Sequence, residues 1–102
     1  MNAIIRCLTD RDLTMVGFES MNPHVKNLWI CELDQDHINN ENTNEWIRSQ
    51  LDKIYVEFGF EILKKSLVLF ISSSEMSKPI SLDFETINLL SQFGAAVEFY
   101  SD

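Results

Sequence analysis

Residues 42–60, NTNEWIRSQLDKIYVEFGF, decide how this chain folds. Trp46, Ile47, Leu51, Ile54, Tyr55 and Phe58 recur at spacings of one, four, three, one and three, which is the apolar stripe of an amphipathic α-helix. Asn42 precedes Glu45 by three residues, a spacing that lets both side chains serve the free amides of a helix start. Gly59 can take the left-handed conformation that ends a helix, and Phe60 supplies a hydrophobic residue just beyond it. A helix is therefore predicted to begin near Asn42 and end at Phe58, and its stripe needs an apolar surface to cover.

The flanking segments supply that surface as strands. Asn2 to Leu8 is rich in apolar and β-branched residues and ends at the Thr9-Asp10-Arg11-Asp12 turn. Leu13 to Glu19 reads as a second strand, Ser20-Met21-Asn22-Pro23 as a turn, and Val25 to Leu33 as a third strand. The three strands are expected to form an antiparallel meander, and because Trp29, Cys31 and Leu33 alternate with Leu28 and Ile30, both faces of the third are apolar and it is expected to be central in the sheet. Beyond the helix, Leu67 to Ser72 is a continuous apolar run typical of a strand covered on both faces. A second helix is predicted from Asp83 to Phe93, capped by Asp83 or Ser81, with Phe84, Ile87, Leu90 and Phe93 as its stripe and Gly94 as its stop. Ala95 to Tyr100 is the last strand. The order βββαβαβ predicts an α+β two-layer sandwich: a mixed five-stranded sheet with two helices on one face, formed as a single domain over 1–102.

Composition narrows the classes of function. The 102 residues carry 16 acids against 8 bases, a net charge of −8. The charge is uneven: residues 32–61 hold eight acids and two bases, a net of −6, whereas residues 1–31 are balanced at three of each. Such a field repels nucleic acid and anionic membranes and speeds encounter with a cationic partner. No apolar run is long enough to span a bilayer and no leader pattern opens the sequence, so a cytoplasmic location is expected. Cys7 and Cys31 stand alone within apolar strands, which predicts buried thiols and neither a disulfide framework nor a zinc site.

Motif chemistry is sparse. Asp34, Asp36 and His37 group carboxylates with an imidazole, but a calcium loop needs an oxygen ligand where Ile38 stands, followed by a glycine. His24 and His37 have no nucleophile in a recognisable frame. No catalytic residue, metal or cofactor is predicted, and the chain reads as non-enzymatic. The acidic loop and the first helix are expected to hold the partner-binding residues Asp34, Asp36, Glu41, Glu45, Trp46 and Asp52. The carboxylates would pair with a partner's lysines and arginines, and Trp46 would serve as an aromatic anchor at their rim or as a core residue.

The run Ile80-Ser81-Leu82-Asp83-Phe84-Glu85-Thr86-Ile87-Asn88-Leu89-Leu90-Ser91-Gln92-Phe93-Gly94-Ala95-Ala96-Val97-Glu98-Phe99-Tyr100 resembles the end of an uncharacterised bacterial domain family. The pattern is a short strand, a helix, a Gly-Ala break and an alternating strand ending in Tyr; this chain departs from it in a shorter final strand and in lacking an early helix. The resemblance implies a fold and no activity. In size, acidity and lack of motifs the chain is similar to bacterial immunity proteins that neutralise toxins delivered between cells, including those of contact-dependent growth inhibition. That likeness implies an antitoxin-like inhibitor that covers the active site of a cationic toxin domain, most plainly a nuclease, and binds neither nucleic acid nor membrane. The alternative is a structural or self-associating domain whose open sheet face forms a homodimer.

Overall fold

The computed structural model describes residues 2–20, 27–33, 40–73 and 81–101. Its sheet has five strands: β1 (Asn2–Leu8), β2 (Glu19–Ser20), β3 (Leu28–Glu32), β4 (Leu67–Ser73) and β5 (Ala96–Ser101). Two helices complete the fold, α1 (Asn40–Phe58) and α2 (Phe84–Gln92). The spatial order is β2-β3-β1-β4-β5. All neighbours are antiparallel except β4 and β5, which are parallel and joined through α2. The α+β class and the mixed five-stranded sheet agree with the sequence reading.

The sheet's alternation places both helices on one face. Ala3, Ile5 and Cys7 of β1 lie opposite Ile71, Leu69 and Leu67 of β4. All six are buried and lie in the core with Ile47, Leu51 and Ile54 of α1 and Leu90 and Phe93 of α2. The predicted stripe of α1 is therefore its core face, apart from Tyr55, which is half exposed and stacks on Phe60 at a centroid distance of 4.5 Å. Gly59 has φ +73° and donates its N–H to the Tyr55 carbonyl, so the helix ends in the left-handed cap that its Gly-Phe sequence predicted. The second stop is a Schellman motif: Ala95 N–H bonds the Leu90 carbonyl and Gly94 N–H bonds the Ser91 carbonyl.

Several expectations are corrected. Leu13 to Glu19 is not a strand, because a 3-10 turn at Thr14–Val16 occupies most of it. Asp12 accepts from the Thr14 N–H at 2.9 Å, and Val16, Gly17 and Phe18 donate to Leu13 and Thr14 carbonyls. Those local bonds consume donors that a strand would offer to a neighbour. Only Glu19–Ser20 pairs as β2, and it pairs with β3 alone, so the three N-terminal strands do not run as a meander. The central strand is β1, between β3 and β4, while β3 lies one place from the edge. Strand β4 is buried on one face only, since Val68, Phe70 and Ser72 on the other remain partly accessible.

Helix α1 begins by Asn40, which puts Asn42 inside the helix instead of at its cap. In α2, Asp83 is the N-cap and accepts from Thr86 N–H at 2.9 Å, as expected. Its predicted stripe is split: Leu90 and Phe93 are buried, but Phe84 is 82% and Ile87 51% exposed, and Thr86 takes the inward position.

Candidate functional site

The outer face of α1 follows from the same periodicity as its core stripe. Glu45, Ser49, Asp52 and Val56 fall at spacings of four, three and four, a second stripe on the side away from Ile47, Leu51 and Ile54. Glu45 and Asp52 are two turns apart, about 10 Å along the axis. Beside this stripe lies the 3-10 turn, which packs on α1 and presents Met15 outward. Between them runs an open groove of about 630 Å³ whose walls include Glu45, Asp52 and Glu57, with Met15, Val16 and Val56 as its apolar part. Met15 on the 3-10 turn is 70% exposed and Val56 on the helix 82%.

Arg48 and Lys53 also line the groove, so three carboxylates face two bases. Arg48 is already committed. Its guanidinium pairs with the Asp83 carboxylate, donates to Thr86 Oγ1 at 3.3 Å and lies 3.9 Å from Glu85. One turn earlier, Asn44 donates from Nδ2 to the Ser81 carbonyl at 2.8 Å and accepts the Asp83 N–H through Oδ1 at 2.9 Å. Asn44 and Arg48 thus clamp the start of α2 to α1. The hydrogen bond from Arg48, with the two from Thr86, holds the Asp83 carboxyl at about 2, below the 3.8 of a free aspartate. With Arg48 neutralised in this way, the described lining of the groove presents the carboxylates of Glu45, Asp52 and Glu57 against the free ammonium of Lys53.

Of the predicted partner-binding residues, the structure brings Glu45 and Asp52 together on the groove. Trp46 is half-buried and packs against the core cluster, about 120° round the helix from Asp52. Glu41 stands in the first turn of α1 with its side chain outside the description, and Asp34, Asp36 and His37 lie outside the described residues, as does His24. Met15 and Val56 were missed by sequence reasoning. Val56 could have been found as the one apolar residue on the polar stripe, whereas Met15 was hidden in a segment read as a strand.

Other chemistry is thin here. Among the described residues no group of three or more His, Cys, Asp or Glu side chains is placed to hold a metal, and no helix is long and apolar enough to cross a membrane. Both cysteines are free and buried; burial pushes the Cys7 thiol up to about 12 and raises Cys31, whose Sγ approaches Gln50 Oε1 at 3.5 Å. Compared with known protein families, curated proteins and solved structures, the chain matches none.

Proposed function

We propose that this chain is a non-enzymatic, antitoxin-like binding domain that uses the outer face of α1 to cover the active site of a cationic toxin domain, most plainly a nuclease. The observation that carries the reading is that Glu45 and Asp52 line one wall of a groove, on α1, beside the exposed Val56 of the same helix and the exposed Met15 of the 3-10 turn. A lysine or arginine side chain matches such a surface at both ends: its methylenes cover Met15 and Val56 while its charged head reaches a carboxylate. Asp34, Asp36 and Glu41, at or before the start of α1 in sequence, add three carboxylates to this stretch of chain. Net charge concentrated in the middle third supports steering of a basic partner and disfavours phosphate-rich ligands.

The test is titration of the protein against the product of its neighbouring gene, followed by calorimetry as salt rises from about 50 to about 300 mM. Affinity is expected to fall with salt, and Glu45→Lys with Asp52→Lys to weaken binding by at least roughly tenfold, in the range of a lost interfacial charge pair. Binding indifferent both to salt and to these reversals would refute a docking surface on α1.

A further inference from the structure

We infer that two copies of this chain associate through the free edge of β5 and the adjoining flank of α2, forming a continuous ten-stranded sheet with both helix layers on the same side. The starting observation is the apolar surface that the monomer leaves uncovered. Among the described residues, strand β5 ends the sheet, with β4 as its one neighbour. It is six residues long and carries a single charge, Glu98. Edges of that length are ordinarily blunted by charges, lysine above all, by proline or by a bulge; here Glu98 is the one charge, and no lysine, proline or bulge occurs between Ala96 and Ser101.

The helix layer is apolar along the same edge. Phe99 lies opposite Ile71 in the sheet and therefore on the helix-covered face, yet it is 60% exposed. Above it runs α2. Glu85 leans toward α1, within 3.9 Å of Arg48, and Ile87, two residues on, is about 200° round the helix on the opposite flank. Helix α1 sits toward β3, where Gln50 meets Cys31, so the flank of α2 turned away from α1 looks toward the β5 edge. Ile87 thus borders this edge with Phe99, and Phe84, one turn before it and about 60° further round, adjoins it from the outer side of α2.

The occupant that fits is a second copy, because β5 is complementary to itself. An antiparallel β5–β5 pair with its two-fold axis at Phe99 sets the two Phe99 rings opposite each other and each Glu98 opposite the other chain's Tyr100. Tyr100 already donates to Glu98 within the chain at 2.6 Å, so the same donor and acceptor can be exchanged across the axis. Moving the axis to Glu98 would set two carboxylates face to face, which disfavours that register. A two-fold perpendicular to the sheet keeps both helix layers on one side, bringing Ile87 and Phe84 of α2 against their counterparts. The groove on α1 lies toward the other edge, beside the turn that leads into β2, and stays open in the dimer.

Light scattering on eluting protein, from about 1 to about 500 μM, tests this, since a weak interface shows only as concentration rises. The expected result is a mass approaching twice the 11.9 kDa of the chain. Phe99→Glu places two charges across the axis, and Ile87→Glu charges the α2 flank from a separate element; each should return the protein to monomer while circular dichroism and the thermal midpoint in dilute solution remain close to those of the parent. Phe99→Cys should cross-link to itself under mild oxidation, since opposed residues in an antiparallel pair have Cα atoms about 5 Å apart, within disulfide reach. Ser49→Cys, in the α1 groove, should not. A monomeric mass throughout the range, a dimer that survives both glutamate variants, or cross-linking at Ser49 with none at Phe99 would each overturn the proposal.

Discussion

Phe93 and Phe84 stand at opposite ends of α2, and their replacement by alanine separates the core face of that helix from its outer one. Phe93 is fully buried and meets the Phe60 ring edge-on at 5.0 Å. Truncating a buried phenylalanine removes its transfer free energy and leaves a cavity, together about 3–5 kcal/mol. For a domain of this size the total stability is on the order of 5–15 kcal/mol, so the loss is a large fraction of the whole. The thermal midpoint should fall by roughly 4 °C or more per kcal/mol, that is by at least about 12 °C. Phe84, 82% exposed, keeps so little area from water that Phe84→Ala should cost less than about 1 kcal/mol. Urea unfolding at low micromolar protein, followed by the fluorescence of Trp29 and Trp46, reads both values without interference from self-association. A Phe84→Ala cost equal to that of Phe93→Ala would refute the assignment of Phe84 to the outer face.

Two further outcomes follow from titration in the folded state. The Asp83 carboxyl is held at about 2 in the folded protein against 3.8 when free, chiefly by its bond from Arg48, so its contribution to stability is complete above pH 3.8 and is lost as pH falls toward 2. Asp83→Asn, which keeps the helix cap but not the charge, should flatten the fall in urea midpoint over that window; an unchanged slope would remove Asp83 from the clamp. Burial that raises the Cys7 thiol to about 12 leaves almost no thiolate there at pH 8, and burial also raises Cys31 and shields it, so an aromatic disulfide reagent should label both cysteines far more slowly in the native protein than in urea, and fast native labelling would contradict their burial.

What was legible in the sequence is what local chemistry dictates. The left-handed stop at Gly59-Phe60, the Asp83 cap and the one-faced stripe Ile47, Leu51, Ile54 depend on residues within a few positions of one another, and each is found where the pattern put it. The failures are places where a choice is made by partners distant in sequence or by a competing local bond. Leu13 to Glu19 has strand composition, but Asp12 turns the chain by accepting from Thr14, and no count of apolar residues registers that single hydrogen bond. Both β1 and β3 are apolar enough to be central, and only the arrival of β4 beside β1 decides between them.

The same distinction explains the two surfaces of this molecule. Glu45 and Asp52 were legible because an i, i+7 pair on a helix must share a side, whereas Met15 reaches them only through the packing of the 3-10 turn on α1. On α2 the periodic pattern did place Phe84, Ile87, Leu90 and Phe93 along one broad stripe, wider than the core of one chain can cover. Leu90 and Phe93 turn inward and the remainder borders the β5 edge. A periodic apolar stripe records which residues are to be shielded from water; it does not record whether the shield is the chain's own sheet or a second copy. The over-wide stripe on α2, set beside an unblunted edge strand, is the physical reason to look for that second copy, and it leaves the acidic face of α1 free for a different partner.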